Sequence, residues 1–247
     1  MMANFRPYKA YILSVLDEFI QRYPINDRFL DAGCGKGDVA LHLALKGWRG
    51  DAIDINPQAV ESTRNLLKHH HTITVSQGTI ENPMGKEFNL ILLLDVLEHI
   101  KNDRAVIEAA ARIQPTGSHL MLTVPSNPDQ EWRWDDELYG HLRRYKPMEI
   151  FSLLESCGYE VLEQWDISFP FFWFLRRAYT SIKAKPQIEG NHLQRTYQSP
   201  FTNAWEMGWI SNFLSKPLIW KYVFRFQMRF RNLITKGHEL AILAQKK

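Results

Sequence analysis

The chain has 247 residues, of which 45% are hydrophobic, with two cysteines and a net charge of +3. This length allows one α/β domain with a complete core. Two cysteines exclude a disulfide framework and favour a reducing compartment. The N-terminus carries Arg6 and Lys9 without an apolar run, so we expect no signal peptide. The longest apolar runs are too short to span a bilayer. These features predict a cytoplasmic protein, with peripheral attachment to the inner face of a membrane left open.

Strands and helices are predicted to alternate along most of the chain. Apolar spacing from Pro7 to Tyr23 predicts a first helix. The predicted strands cover residues 28–32, 50–54, 73–76, 88–94, 118–124, 159–167 and 238–244. The predicted helices cover residues 38–45, 103–113 and 147–158, and a further helix opens at Asn56-Pro57. This alternation predicts an α/β fold, a doubly wound parallel sheet with helices on both faces, whose ligand lies at the carboxyl ends of the strands.

A glycine-rich turn follows the first predicted strand. Its sequence is Asp31-Ala32-Gly33-Cys34-Gly35-Lys36-Gly37. Glycine allows positive φ and a close approach of backbone to ligand. Asp54, at the tip of the next strand, is placed to bind a ribose diol. The dinucleotide pattern G-x-G-x-x-G fails because Asp38 stands at its last position. Carboxylates around such a turn favour a ligand with a cationic amino-acid end.

Two motifs carry a resemblance to a known family. Residues 31–37 resemble the first motif, D-x-G-x-G-x-G, of the class I S-adenosylmethionine-dependent methyltransferases. Residues 94–99, Leu-Asp-Val-Leu-Glu-His, resemble the E-V-L-E-H motif of methyltransferases that act on ubiquinone precursors and many small molecules. The resemblance covers residues 6–167 and the tail from Gly237. It implies a Rossmann-like, seven-stranded, mostly parallel sheet whose last strand is antiparallel and lies beside strand six.

The resemblance also implies one methyltransferase domain over residues 1–247. Its parts are a helical cap (1–25), a cofactor-binding core (26–167), an insertion before the last strand (168–236) and the last strand (237–247). S-adenosylmethionine is the expected cofactor. The implied cofactor-binding residues are Asp31, Gly33, Cys34, Gly35, Gly37, Asp54, Ile55, Thr79, Ile80, Glu81, Asp95 and Val96.

Within that set, roles follow from the family's motifs. Asp54 accepts from both ribose hydroxyls, and Ile55 packs on the adenine. Relatives carry an acid at the Thr79 position for the adenine amino group, so this contact passes to Glu81 or is weaker. Asp95 helps to hold the methionine ammonium.

Transfer of a methyl group to a hydroxyl needs a group that removes a proton. His99 and His141 are the best candidates because imidazole titrates near neutral pH. Tyr145, with Arg143 and Arg144, is predicted to orient an acidic substrate. Asp95, Glu98, His99 and His141 also present two carboxylates and two imidazoles, which suit a divalent cation. The small-RNA 3′-terminal 2′-O-methyltransferases share this pattern, but Asp95 replaces their glutamate. A metal is therefore an alternative rather than the expectation.

The segment 168–236 differs from the rest of the chain in composition. It holds eleven Lys and Arg against two acids, a net charge of +9, and 16 of the 31 aromatic residues. Residues 169–175 followed by Arg176-Arg177 are typical of an interfacial anchor with a cationic rim. Pro217 to Ile234 is predicted as a basic amphipathic helix, although alternating aromatic residues also allow a strand.

Three interpretations of this segment remain open. In the first, it is a lid whose aromatic residues form a small core and line the acceptor pocket. In the second, it contacts a membrane surface. The third, a nucleic-acid surface, ranks last. We expect methyl transfer to a hydroxyl of a small, lipophilic or anionic molecule. The alternatives are a metal-dependent RNA 2′-O-methyltransferase and a non-catalytic cofactor-binding protein that acts through its basic segment.

Overall fold

The computed structural model describes residues 6–81, 87–202 and 217–247, and for residues 217–219 the backbone alone. The strands are β1 (Arg28–Ala32), β2 (Arg49–Asp54), β3 (Ile73–Gln77), β4 (Leu90–Leu94), β5 (His119–Pro125), β6 (Tyr159–Asp166) and β7 (Glu239–Lys246). The helices are α1 (Pro7–Arg22), α2 (Asp38–Ala44), α3 (Pro57–Leu66), α4 (Asp103–Arg112), α5 (Pro128–Glu131), α6 (Trp134–Tyr139), α7 (Pro147–Ser156), α8 (Phe171–Ile182), α9 (His192–Gln198) and α10 (Pro217–Met228). Short 3₁₀ turns cover Leu97–His99 and Ser199–Phe201.

The seven strands form one sheet in the order β3-β2-β1-β4-β5-β7-β6. The pairs among β1 to β5 are parallel, and β7 runs antiparallel to both of its neighbours, β5 and β6. This arrangement confirms the predicted doubly wound α/β fold and the antiparallel last strand, with every predicted strand end within two residues. The strand order reverses between β1 and β4, which is where such folds bind their ligands.

Alternating strand residues face two apolar cores. In β1, Phe29 joins a core with residues of α1, α2, α8 and α10, whereas Leu30 joins a core with residues of α4 and α7. All five residues of β4 are buried, as expected for a central strand covered on both faces. Asn56 caps α3, since its side chain accepts from the Gln58 backbone N–H, which agrees with the Asn-Pro signal.

The insertion packs an aromatic cluster onto α1. Phe172 stacks on Trp220 at 5.9 Å between ring centroids, and Tyr11 contacts both Phe172 and Phe224. The structure therefore shows the small aromatic core of the lid interpretation. The strand alternative is wrong over residues 217–228, which are helical, and this helix ends at Met228, before the predicted Ile234. The part of the segment at 203–216 lies outside the described residues.

The predicted cationic rim at Arg176-Arg177 is wrong. Arg176 is only 5% exposed and binds Asp135 and Asp136. Arg177 pairs with Glu131 at 2.7 Å. These acids lie on α5 and α6, so the two arginines bind the insertion to the core. Across the three described ranges, no helix is both long enough and apolar enough to cross a bilayer.

Candidate active site

The glycine-rich turn between β1 and α2 is built as a backbone cradle. Gly33, Gly35 and Gly37 have φ values of 86°, 55° and 81°, which other residues rarely adopt. The backbone N–H groups of Gly33 and Cys34 donate to the Ile53 carbonyl oxygen at 2.8 and 3.0 Å, tying the turn to β2. A Cβ atom at Gly33 would lie 2.5 Å from Val96 Cγ2. The predicted cofactor residues of the turn therefore lie together with Val96.

Asp54 links this turn to the start of α3. Its Oδ2 accepts from the Gly35 N–H at 2.9 Å, and its Oδ1 accepts from the Asn56 N–H at 2.8 Å. Burial raises the pKa of Asp54, and these backbone hydrogen bonds oppose that effect. A carboxylate oxygen has two lone pairs, so both oxygens retain capacity for ligand hydroxyls.

Asp31 is buried beneath the same turn. Among the described residues its Oδ2 has no hydrogen-bond partner. Burial raises the pKa of Asp31 to about 7, with opposing attraction from Lys9 and added repulsion from Asp54. A buried carboxylate with an unpartnered oxygen is a group that a cationic ligand would stabilise.

The remaining predicted cofactor residues differ in exposure. Ile55 is 45% exposed after β2, which leaves its side chain free for contact with a flat ring. Thr79 is half-buried, Ile80 is buried and Glu81 is exposed. Cys34 is buried, with Sγ 3.7 Å from Thr63 Oγ1, and burial raises its thiol pKa. Cys34 is therefore a packing residue of the turn rather than a nucleophile.

Asp95 follows β4 in the left-handed region, with φ of 59°. Thr123 Oγ1 donates to Asp95 Oδ1 at 2.6 Å. Burial alone would raise the pKa of Asp95, but hydrogen bonds from Glu239 and Thr123 hold it below its ordinary value. Burial and the neighbouring Asp95 raise the pKa of Glu239 well above its ordinary range, so this protonated group can donate.

Glu98, His99 and His141 come together beyond β4. Their ligand atoms all lie within 4.8 Å of one another. Both Nε2 atoms face Glu98 Oε1, at 4.0 Å from His99 and 3.9 Å from His141. Burial and Asp95 raise the pKa of Glu98 well above its ordinary value. Three such groups could hold a divalent cation. Asp95, the fourth predicted ligand, is not part of this group; it bonds to Thr123 and Glu239 instead.

The other ring nitrogens of the two histidines have different partners. His99 Nδ1 donates to the Gly140 carbonyl oxygen at 3.1 Å, and burial lowers the pKa of His99 to about 3. His141 Nδ1 lies 2.9 Å from Asp136 Oδ1. The sequence offered no specific signal for Asp136, which stands in an acidic run, Asp135-Asp136-Glu137, typical of a solvated helix face.

The three side chains predicted to orient the substrate, Tyr145, Arg143 and Arg144, are paired with acids of the protein. The Tyr145 hydroxyl donates to Asp103 Oδ2 at 2.8 Å, and its ring is in the core on the α4 side. Arg143 also binds Asp103, at 2.8 Å. Arg144 is buried and binds Asp136. All three side chains therefore have protein partners, and their role towards an acceptor stays a prediction.

A strap made of residues 191–202, which includes α9, crosses this edge of the sheet. Asn56 Nδ2 donates to the Tyr197 carbonyl oxygen at 2.9 Å, and Pro200 lies against Gly35. Thr196 Oγ1 lies 3.3 Å from His99 Nδ1. The strap thus contacts both the glycine turn and the histidine pair, and sequence patterns predicted neither contact.

Comparison with known proteins defines the class. The family model described as a methyltransferase domain matches residues 3–164, more than half of the chain. The chain belongs to this methyltransferase-domain family, and its class is that of the class I S-adenosylmethionine-dependent methyltransferases.

Particular relatives are distant. A ubiquinone biosynthesis O-methyltransferase from Rickettsia akari is 24% identical over 167 residues, covering 62% of this chain and 66% of that protein. The chain thus spans just under two thirds of that relative's length. A structure from Galdieria sulphuraria, provisionally assigned as a sarcosine dimethylglycine methyltransferase, has a TM-score of 0.63 at 16% identity and covers 96% of this chain and 84% of that one.

A second solved structure is the N-methyltransferase NodS from Bradyrhizobium japonicum in complex with S-adenosyl-L-homocysteine. It has a TM-score of 0.54 at 18% identity, covering 65% of this chain and 80% of that chain. At these identities the two structural likenesses show the fold alone.

Proposed function

We propose that this protein transfers a methyl group from S-adenosylmethionine to a hydroxyl group of a small molecule. The observation that carries the proposal is that the Nε2 atoms of His99 and His141 both face Glu98. This histidine pair and the glycine turn are both contacted by the strap. The name of the Rickettsia akari relative supports a hydroxyl acceptor, and a lipophilic one.

The residues of the turn fit the cofactor. Asp54 has free lone pairs for ribose hydroxyls, and Asp31 Oδ2 is a buried, unpartnered acceptor for an ammonium group. The lack of a side chain at Gly33 lets Val96, another predicted cofactor residue, pack directly against the turn. Ile55, Thr79, Ile80 and Glu81 would border the adenine. When bound, S-adenosylmethionine supplies a methyl group already activated by its sulfonium, so positioning can lower much of the barrier.

His141 is the residue that takes the acceptor's proton. A hydroxyl must lose its proton as its oxygen bonds to carbon, and that proton passes to the lone pair of a nearby base. His99 is too weak a base near pH 7, because burial lowers its pKa to about 3. His99 Nε2 carries only a lone pair, because its Nδ1 donates to the Gly140 carbonyl oxygen, so it cannot donate to the acceptor's oxygen. We assign Glu98, whose pKa burial and Asp95 raise well above its ordinary value, to donating a hydrogen bond to that oxygen beside His141.

A divalent cation at Glu98, His99 and His141 is a second role for the same side chains, favoured by the distances within the group. Our proposal does not require it. We expect protein dialysed against EDTA to retain its rate of methyl transfer. Loss of the rate, restored by a divalent cation, would assign the three side chains to metal binding.

The first experiment is transfer of labelled methyl groups from S-adenosylmethionine into a host extract separated into RNA, lipid and water-soluble fractions. We expect label in a small-molecule fraction, lipid or water-soluble. Label in RNA would favour an RNA 2′-O-methyltransferase. No label in any fraction, with cofactor binding confirmed, would favour the non-catalytic alternative.

A matched pair of variants then tests the base. We expect His141→Gln to lower the rate about 100-fold and to leave the affinity for S-adenosylhomocysteine unchanged. His69→Gln, at an exposed position after α3, is the control and should leave both unchanged. Full turnover of His141→Gln would contradict the assignment of the base.

We also propose that the outer face of α10 contacts an anionic lipid surface. Lys221 and Arg225 are exposed there beside Tyr222 and Phe226, and Arg229 is exposed just after the helix ends. Neither α8 nor α10 contains an acidic residue. Exposed aromatic rings with cations along one helix are typical of helices that lie in the lipid interface, and a lipophilic acceptor would be reached from there.

Flotation with vesicles containing anionic lipid tests this contact. We expect wild-type protein to float and the triple variant K221E/R225E/R229E to stay behind. The triple variant K68E/K101E/R112E makes the same change of charge at exposed positions elsewhere and should still float. Wild-type protein that stays behind would contradict the contact without affecting the proposed methyl transfer.

A further inference from the structure

We propose that Asp136 is the positioning residue for His141, and that Arg176 of the insertion holds Asp136 in place. The role of His141 in catalysis rests on the function proposed above. The arrangement of Asp136 and its partners does not, because it is a set of contacts within the protein.

Asp136 is fully buried and every side of its carboxylate is occupied. Oδ1 accepts from His141 Nδ1 at 2.9 Å and from Arg144 Nε at 2.9 Å. Oδ2 accepts from the Arg133 backbone N–H at 2.8 Å and from Arg176 Nη2 at 3.0 Å. Two buried guanidinium groups and a backbone donor therefore fix both the charge and the orientation of this carboxylate.

The ionised carboxylate determines the tautomer of His141. Arg144 donates to Oδ1 of Asp136 and Arg176 donates to Oδ2, so a guanidinium on each oxygen holds the carboxylate in its ionised form. An ionised carboxylate only accepts hydrogen bonds, so His141 Nδ1 must carry the proton. The lone pair of the neutral ring is then on Nε2, the nitrogen that faces Glu98.

Arg176 connects this arrangement to the insertion. It lies on α8, 40 residues from Asp136 in sequence. Its Nε and Nη2 bind the two oxygens of Asp135 at 2.8 and 2.6 Å, and its Nη1 donates to the Glu131 carbonyl oxygen at 3.0 Å. One planar guanidinium spans three acceptors, which the single ammonium of a lysine cannot do. The insertion thereby holds Asp136 in place, and Asp136 in turn holds His141.

The first test reads the tautomer in the whole protein, without an acceptor. We expect ¹⁵N NMR of histidine-labelled protein, with His141 assigned by its loss in His141→Gln, to show Nδ1 protonated and Nε2 unprotonated. In Asp136→Asn the amide can donate as well as accept, so we expect this preference to be lost. A wild-type ring protonated on Nε2, or a tautomer unchanged in Asp136→Asn, overturns the proposal.

The second test compares neighbouring arginines on α8. We expect Arg176→Lys to lower the maximal rate of label transfer from S-adenosylmethionine into host extract about 10-fold and to leave the affinity for S-adenosylhomocysteine unchanged. Arg177→Lys is the matched control, because Arg177 binds Glu131 and Gln130. Equal rates in the two variants would overturn the role of Arg176. Full turnover of His141→Gln would instead overturn the proposed function, while the NMR result still decides the Asp136 contact.

Discussion

Two buried carboxylates near the sheet's ligand edge, Asp31 and Asp136, have opposite surroundings. Asp31 has an unpartnered oxygen and a pKa raised by burial to about 7. Asp136 has donors on both oxygens and a pKa held well below its ordinary value. A buried acid with an unpartnered oxygen destabilises the protein until a ligand binds, whereas a fully paired acid acts on a neighbouring side chain. The partners of a buried carboxylate thus indicate whether it binds a ligand or positions a residue.

Among the variants that test this comparison, we expect the largest effect from one on the cofactor side, in the glycine turn. In Gly33→Ala the new Cβ would meet Val96 Cγ2 at 2.5 Å. Valine is stiff at χ1, so Val96 cannot move aside cheaply. We expect the affinity for S-adenosylhomocysteine, measured by calorimetry, to fall at least about tenfold, since overpacking of this kind costs about 1–3 kcal/mol.

Gly47→Ala is the control for the backbone cost. Gly47 has φ of 83°, close to the 86° of Gly33, but no atom in the described part of the chain lies within 4 Å of its added Cβ. We expect Gly47→Ala to lower the free energy of unfolding by about 1 kcal/mol and to leave the affinity unchanged. Equal loss of affinity in both variants would show that the cradle beside Val96 is not the binding surface.

The next prediction sharpens the comparison through pH. Folded Asp31 stays protonated up to about pH 7, whereas in the unfolded chain an aspartate ionises near pH 4. Between these values the folded protein binds more protons, so its free energy of unfolding falls as the pH rises. Asp31→Asn does not undergo this loss. Relative to wild type, its stability should rise by about 2 kcal/mol from about pH 5 to about pH 6.5.

Denaturant unfolding at the two pH values measures this difference. Asp27→Asn, where the side chain is 57% exposed, should follow wild type at both. The same Asp31→Asn protein should bind S-adenosylhomocysteine more weakly, because the amide lacks the charge that an ammonium requires. If the stability of Asp31→Asn relative to wild type were the same at both pH values, the raised pKa of Asp31 would be contradicted.

The sequence predicted the strands and the glycine turn far better than the supports of the histidine pair. The glycine turn and the strand positions follow from local patterns, because turn conformation and strand periodicity depend on neighbouring residues, whereas the antiparallel last strand followed from the family resemblance. His99 and His141 were also recognised singly. Their supports were not: Asp136 was part of an ordinary acidic run, and Arg176 looked like a cationic rim. Composition cannot tell which arginine meets a buried acid 40 residues away, since that pairing exists only after α8 packs on α6.

The smallest expected effect concerns the strap over His99. Thr196 Oγ1 donates to the His192 carbonyl oxygen at 3.1 Å and lies 3.3 Å from His99 Nδ1. Because His99 Nδ1 already donates to Gly140, this second contact is long and shared. We expect Thr196→Val to weaken cofactor binding or slow turnover by about 3-fold, in keeping with a neutral hydrogen bond worth about 0.5–1.5 kcal/mol.

Thr202→Val is the matched control, because it removes an exposed hydroxyl that donates to the Gln198 carbonyl oxygen at 3.1 Å, at the far end of the strap. The pair separates a general effect on the strap from an effect at His99. If Thr202→Val slowed turnover as much as Thr196→Val, the strap would act as a cover for the glycine turn alone. Slower turnover in Thr196→Val alone would show that the strap acts on His99. The strap would then support one histidine of the pair, while Asp136 and Arg176 support the other, His141.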